Sequence, residues 1–114
     1  MKRPRKHSEA HLDFIRGLPC VVCKNPIQTE AAHIRFEDRK AGKRFVGMGE
    51  KPDDSWTIPL CWRHHKEQHQ IGEKAFWKKV RIDPLFVSLA LWRATGDDEL
   101  GQQIISEHPE TAGE

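Results

Sequence analysis

The segment of residues 61–69, CWRHHKEQH in one-letter code, constrains this chain more than any other, because it holds one cysteine and three of the seven histidines. In a helix that begins just after Cys61, His65 and His69 are about one turn apart, so both imidazoles project from the same face. His64 lies about 100° away around the helix axis and faces elsewhere. We therefore expect two metal sites, one that includes Cys61 and His64 and one formed by His65 and His69.

Two residues separate Cys20 from Cys23, and the same number separates Cys61 from His64. Ligand pairs at this spacing are typical of the knuckles that grip one tetrahedral zinc ion, so the four side chains predict a closed structural zinc site. The neighbouring histidine could take the place of His64, and a single histidine would then remain for a second metal. A thioredoxin-like redox pair also has the Cys-x-x-Cys spacing, but the strand and helix alternation of that fold is not indicated around it.

Length and composition indicate one small domain. The chain has 114 residues and 32% of them are charged, so the apolar material for a core is limited and a structural metal would help folding. The three cysteines cannot all pair in disulfides, and their spacing fits metal ligation in a reducing compartment. No apolar run approaches the length of a membrane span, and the basic N-terminus does not lead into a signal peptide. We expect a cytoplasmic protein.

Charge is unevenly distributed along the chain. The net charge is +2, yet residues 96–114 contribute six acidic side chains and neither lysine nor arginine, so the remaining residues carry +8. A domain of that charge suits a polyanion such as DNA or RNA. The acidic tail could equally act only as a solubilising end. The basic N-terminal arm either contacts phosphates or is simply solvated.

Hydrophobic periodicity and turn residues predict an α+β arrangement. Ser8 caps the first helix, Gly17 ends it, and His11 within it is expected at the surface. Two short apolar segments, residues 30–36 and 55–60, are expected to pair as an irregular hairpin. Four further helices are expected over residues 62–70, 73–80, 85–94 and 97 to the residue before Pro109. Gly72 separates the first two of these, and Asp83 caps the third with Pro84 at its first position. Phe86 is expected among the apolar residues of the fourth helix, and Leu100, Ile104 and Ile105 form the expected buried face of the last one.

A long loop, residues 37–54, joins the two predicted strands. Long loops without regular structure are usually functional or disordered. We expect its basic side chains to contact a phosphate backbone together with two basic residues outside the loop, and a solvated loop is the alternative. The residues concerned are Arg35, Arg39, Lys40, Lys43, Arg44 and Lys66.

The order of these motifs resembles that of the HNH endonucleases, the β-β-α-metal or His-Me finger family, over residues 18–70. The matching elements are AHIR at residues 32–35, IPLC at residues 58–61 and QH at residues 68–69. Phage-type and prophage-type HNH proteins are the most similar, and a RecA-dependent phage nuclease is a more distant relative. The resemblance implies a small zinc-stabilised HNH (ββα-metal) domain of the α+β class, with an irregular β-hairpin and helical N- and C-terminal additions.

The resemblance also implies roles for individual side chains. His33, on the first strand, would be the general base that takes a proton from water. An unperturbed imidazole titrates at about pH 6.5, so a neutral fraction that can accept this proton exists at cellular pH. His65 and His69 would bind a catalytic divalent metal, Mg²⁺, Mn²⁺, Ni²⁺ or Zn²⁺, with positions left open for phosphate and water. The structural Zn²⁺ would be fully coordinated and inert.

Two positions depart from the family pattern. Many members place an aspartate or histidine ligand directly before the base, where this sequence has Ala32, so the second metal would have one ligand fewer. The asparagine of the family name is also missing, since counting back from Cys61 puts Trp56 at that position. Asp54 is the nearest polar residue that could orient His33 through a hydrogen bond, and we assign it that role.

From these features we expect a metal-dependent endonuclease that nicks or cuts DNA with low sequence specificity, because the positive charge suits the phosphate backbone more than base edges. One alternative is a treble-clef zinc module that binds DNA or RNA without cutting it. Another is a nuclease that acts only with a recombination partner such as RecA. The expected organisation is a basic flexible arm (residues 1–7), the HNH nuclease domain with flanking helices (8–96), and an acidic C-terminal helix with a disordered tail (97–114).

Overall fold

The computed structural model describes residues 7–36 and 52–107. In this part of the chain a two-stranded antiparallel sheet and five helices form a small α+β fold, which confirms the class predicted from the sequence. In chain order the elements are α1 (Glu9–Arg16), β1 (Thr29–His33), β2 (Thr57–Cys61), α2 (Trp62–Ile71), α3 (Glu73–Val80), α4 (Pro84–Arg93) and α5 (Asp98–Ser106). None of these helices is long and apolar enough to cross a membrane. Most of the N-terminal arm, most of the basic loop and the end of the acidic tail lie outside the described residues.

Side-chain caps begin α1 and α4 where the sequence predicts them. The Ser8 hydroxyl accepts a hydrogen bond from the backbone N–H of His11, at 3.1 Å, at the start of α1. The Asp83 carboxylate accepts from two backbone N–H groups at the start of α4, whose first residue is Pro84. Gly72, with a φ of 92°, separates α2 from α3, because only glycine adopts such a positive φ at little cost.

The two strands pair as predicted but end at different residues. Ala32 lies opposite Ile58 in a regular antiparallel register. The first strand was expected to continue to residue 36, whereas β1 ends at His33. The backbone N–H of Arg35 donates to the Glu73 carboxylate, at 3.0 Å to each oxygen, so the chain leaves the sheet and turns toward α3.

A hydrophobic core lies between the sheet and the helices. Its largest fully buried apolar side chains are Phe76, Ile15, Leu18, Ile34, Ile58, Leu60, Leu91 and Ile105. Lys24 follows the turn that carries Cys20 and Cys23, which we call the cysteine turn. Its ammonium donates to the carbonyl oxygens of Val21 and Ile105, each at 2.8 Å. This side chain therefore ties the cysteine turn to α5.

Two large apolar residues of α4 and α5 are exposed, and one of them, Leu100, was expected on a buried face. Leu100 is 41% exposed and Phe86 is 63% exposed. In α5 the core face contains Ile105, as predicted, but it also contains Gly101, where a Cβ atom would lie 2.7 Å from the Phe14 ring. The prediction for Leu100 is wrong because α5 approaches α1 so closely that a residue without a side chain occupies the contact.

His11 is buried, so the prediction that it lies at the surface is wrong. Its exposed fraction is 0%, and its ring packs edge-on against Trp92 with the ring centroids 4.8 Å apart. Nδ1 lies 2.6 Å from the Thr95 hydroxyl, which itself donates to the Trp92 carbonyl, so Nδ1 carries the proton and donates. Burial lowers the pKa of His11 to about 4, although the nearby Asp54 carboxylate acts in the opposite direction.

The burial of His11 predicts a specific sensitivity to acid. As the pH falls from 6.5 to about 4, the unfolded chain protonates this histidine while the folded chain does not, so the free energy of unfolding falls. The lowered pKa corresponds to a loss of at most about 3 kcal/mol. We expect a His11→Leu variant to lose this part of the pH dependence in urea unfolding curves and to share the rest with the wild type. The same loss of stability in both proteins over this pH range would contradict the burial of a neutral imidazole.

Candidate metal centre

The turn that carries Cys20 and Cys23 is held against the second strand. The backbone N–H of Val21 donates to the Pro59 carbonyl at 3.0 Å. Cys61 is the last residue of β2 and immediately precedes α2. The cysteine turn, the end of β2 and the first turn of α2 therefore meet at one place.

Three cysteine sulfurs and one imidazole lie at this junction. The Cys61 sulfur is 3.2 Å from Nδ1 of His64, and the Cys20 sulfur is 3.7 Å from the same nitrogen. The Cys23 sulfur is 3.9 Å from the sulfur of Cys61, and all four ligand atoms lie within 4.8 Å of one another. A tetrahedral zinc ion with Zn–S bonds of about 2.3 Å separates its ligand atoms by about 3.8 Å, so this donor set fits zinc.

The structure distinguishes between the two adjacent histidines, because His64 faces the sulfurs. Burial lowers the pKa of His64, with Glu67 acting in the opposite direction, and this favours the neutral imidazole that metal binding requires. Burial also raises the pKa of the Cys20 thiol to about 11. The protein alone therefore does not stabilise a thiolate here, and a bound cation would.

Two further imidazoles lie side by side on α2. Nε2 of His65 is 3.2 Å from Nε2 of His69, and the ring centroids are 4.8 Å apart. His65 is half-buried and His69 is exposed. One Nε2–H donates to the other nitrogen at this separation, and a divalent cation could take the place of that proton. The sequence predicted that these two side chains share a face, and the structure brings them together.

Glu30 belongs to the same cluster and was not identified from the sequence. Its Oε1 lies 2.7 Å from Nδ1 of His65. A carboxylate accepts the hydrogen bond, so Nδ1 carries the proton and Nε2 turns its lone pair toward His69, an arrangement common around metal-bound histidines. Strand alternation places Glu30 on the same face of β1 as Ala32, the position where the family ligand is missing. That alternation is the signal that could have identified it.

An open depression of about 500 Å³ surrounds this pair of imidazoles. It is lined by Glu30, Trp62, His65, Lys66, His69 and Gln70. Lys66 and Arg35 are exposed, so both cations can meet an anion in solution. The other residues that we expected to contact phosphate, Arg39, Lys40, Lys43 and Arg44, lie outside the described residues.

A second cluster of imidazole and carboxylate groups lies at the end of β1. Nε2 of His33 is 2.8 Å from Oδ1 of Asp54, which is the contact that the sequence led us to expect. Asp54 is fully buried, and its Oδ2 accepts from the Ser8 backbone N–H and lies 2.8 Å from Nδ1 of His7. The carboxylate fixes Nε2 of His33 as a donor, so Nδ1 is the nitrogen that can accept a proton. His7 was not identified from the sequence, because no ligand spacing singles it out.

Strand alternation separates the two clusters. Glu30 and His33 are three positions apart in β1, so their side chains leave opposite faces of the strand. Within residues 7–36 and 52–107, the His33 ring is hydrogen-bonded to Asp54, whereas the His65 ring is hydrogen-bonded to Glu30 and His69. The expectation that the base and the open pair of imidazoles act on one phosphate therefore stays a prediction.

Comparison with known proteins identifies a family. A family model described as "Protein of unknown function (DUF968)" matches residues 1–90. The chain is also similar to "Uncharacterized protein YdfU" of Escherichia coli (strain K12), with 32% identity over 68 residues. The match covers 60% of this chain and 18% of that relative, so the chain spans less than a fifth of the relative's length. No solved structure matches.

Zinc content tests the assignment of the two adjacent histidines. We expect one tightly bound zinc per wild-type chain after dialysis, and loss of this zinc in His64→Ala, because a ligand of the enclosed cluster is removed. Structural zinc contributes about 10 to 16 kcal/mol in zinc-finger peptides, so this variant should also unfold at a much lower temperature. His65→Ala is the matched control and should keep its zinc. Loss of zinc from the control instead would reverse the assignment.

Removal of the Glu30 carboxylate tests the second cluster. In zinc-loaded protein titrated with Ni²⁺ by calorimetry, we expect Glu30→Ala to bind the added metal about 10- to 100-fold more weakly, since the tautomer of His65 is no longer fixed. Glu9→Ala is the control, because Glu9 is an exposed acid that contacts Arg16. Equal Ni²⁺ affinity in wild type and Glu30→Ala would exclude this orienting role.

Proposed function

The chain belongs to the DUF968 family, and we propose that it is a zinc-stabilised, metal-dependent endonuclease of the HNH type that hydrolyses phosphodiester bonds of DNA. One observation carries the proposal: the Nε2 atoms of His65 and His69 lie 3.2 Å apart in an open depression, and Glu30 fixes the tautomer of His65. A structural site is enclosed by protein, whereas an accessible pair of ligands leaves room for a substrate. The order of motifs along the chain supports the same assignment.

The residues of the open pair fit a catalytic divalent cation. His65 and His69 would hold Mg²⁺, Mn²⁺, Ni²⁺ or Zn²⁺, and imidazole ligands favour the transition metals among these. A bound cation supplies Lewis-acid polarisation of the phosphate and stabilisation of the departing 3′-oxygen. Glu30 keeps Nε2 of His65 available as a ligand, and exposed Lys66 adds positive charge at the edge of the depression.

His33 is the proposed general base. Asp54 accepts a hydrogen bond from Nε2 of His33 and holds the ring in one orientation. Nδ1 can then take the proton of the attacking water, and the buried carboxylate stabilises the imidazolium that results. Asp54 is itself held by the backbone N–H of Ser8 at the start of α1, so α1 helps to position the base.

Charge supports DNA as the substrate. Residues outside the acidic tail carry a net charge of +8, which suits a phosphate backbone and offers little discrimination between bases. None of the three cysteines forms a disulfide, which suits a reducing, cytoplasmic location. The resemblance to phage-type and prophage-type HNH proteins makes a recombination protein such as RecA a candidate partner.

A second candidate function is a zinc module that binds DNA or RNA without cutting it. The observation that favours it is the alternation of β1, which turns His33 and Glu30 to opposite faces of the strand. A binding module needs the zinc cluster and the positive charge, but it needs no base next to an open metal site. Cleavage activity separates the two candidates.

Plasmid nicking tests the nuclease and its base. We expect zinc-loaded protein to convert supercoiled plasmid to the nicked form when Mn²⁺, Ni²⁺ or Mg²⁺ is added. His33→Ala should reduce the rate about 10²- to 10⁴-fold, the usual contribution of a general base. His7→Ala is the matched control, because it removes the other imidazole from Asp54 and leaves the base in place.

The nicking rates are compared at equal zinc content, so that a folding defect is not mistaken for a loss of catalysis. Nicking by His33→Ala at the wild-type rate would exclude this residue as the base. Binding of plasmid without nicking in any of the three metals would favour the binding module.

A further inference from the structure

Trp62 differs from the other tryptophans in its exposure and its position. It is the first residue of α2 and is 50% exposed, whereas Trp56 and Trp77 are 7% and 3% exposed and Trp92 is partly buried against His11. A half-exposed indole leaves a large apolar surface in contact with water, and that surface is available to a ligand.

The indole lies where two depressions adjoin. One is the depression of about 500 Å³ that contains the pair of imidazoles. The other, of about 570 Å³, is lined by Gln28, Thr29, Glu30 and Trp62. Both are lined by Trp62 and Glu30, so a chain that runs from one depression to the other passes the indole.

We propose that Trp62 is a stacking platform for an unpaired base of single-stranded DNA, in the nucleotide next to the phosphate that lies at the His65 and His69 pair. An aromatic face stacks on any base and is therefore tolerant of sequence. Lys66, in the same depression as the imidazoles, supplies a cation for the phosphate that connects the two nucleotides. In a duplex the bases stack on one another, so the platform selects single-stranded or locally unpaired segments.

This inference rests on the proposed function for the identity of the ligand, but its test does not require cleavage. Binding of a short fluorescent single-stranded DNA to zinc-loaded protein, with no other divalent metal added, is measured by anisotropy. The oligonucleotide is checked afterwards on a gel to show that it is intact.

Trp62→Ala should weaken this binding roughly tenfold, as expected when one base loses its aromatic partner. Trp62→Phe retains an aromatic face and should stay within about threefold of the wild type. Phe86→Ala is the control for loss of an exposed aromatic ring, since Phe86 is 63% exposed on α4 and lines neither depression. Binding to the matching duplex should change little in any of the three variants.

Equal affinity of wild type and Trp62→Ala for single-stranded DNA would overturn the proposal, as would an equal loss of affinity for the duplex. Tryptophan-dependent binding that appears only with RNA of the same sequence would overturn the choice of DNA. If Trp62 contributes to binding as expected but no metal supports plasmid nicking, the stacking site stands and the nuclease proposal fails.

Discussion

The meeting of the cysteine turn with the junction between β2 and α2 is the constraint on which the rest of the structure depends. Cys61 both ends the strand and precedes the helix, so the cluster that it forms with Cys20, Cys23 and His64 fixes the point at which α2 leaves the sheet. The rotation of α2 about its axis is set at the same time, because His64 has to face the sulfurs. The residue after His64, about 100° further around the helix, then faces β1 and meets Glu30.

Hydrogen-bond partners give chemically identical imidazoles different capacities. A carboxylate on Nδ1 of His65 leaves Nε2 free for a cation, whereas a carboxylate on Nε2 of His33 leaves Nδ1 free for a proton. His11 donates to Thr95 within the core, and burial lowers its pKa to about 4, so it stays neutral and structural. The environment of each ring, and not its residue type, therefore decides whether it can bind a metal, accept a proton or only pack.

Local signals predicted most of the elements. The caps at Ser8 and Asp83 and the break at Gly72 act within one or two turns of the chain, so they can be read without knowledge of the fold. The predictions were wrong where a contact with a residue distant in the sequence decides the local structure. β1 ends early because Glu73 binds the backbone of Arg35, and Leu100 is exposed because Gly101 contacts Phe14.

The sequence by itself determined the α+β class, the pairing of Cys20 with Cys23 as candidate metal ligands and the common face of His65 and His69, because these follow from the periods of helix and strand and from ligand spacing. Only the tertiary structure decided that His64 completes the cluster, that Glu30 orients His65 and that His11 is buried. The first two depend on contacts between residues that are 35 or more positions apart in the sequence, and the third depends on what covers a helix face. Spacing along the chain carries no information on such contacts, since packing alone brings distant segments together.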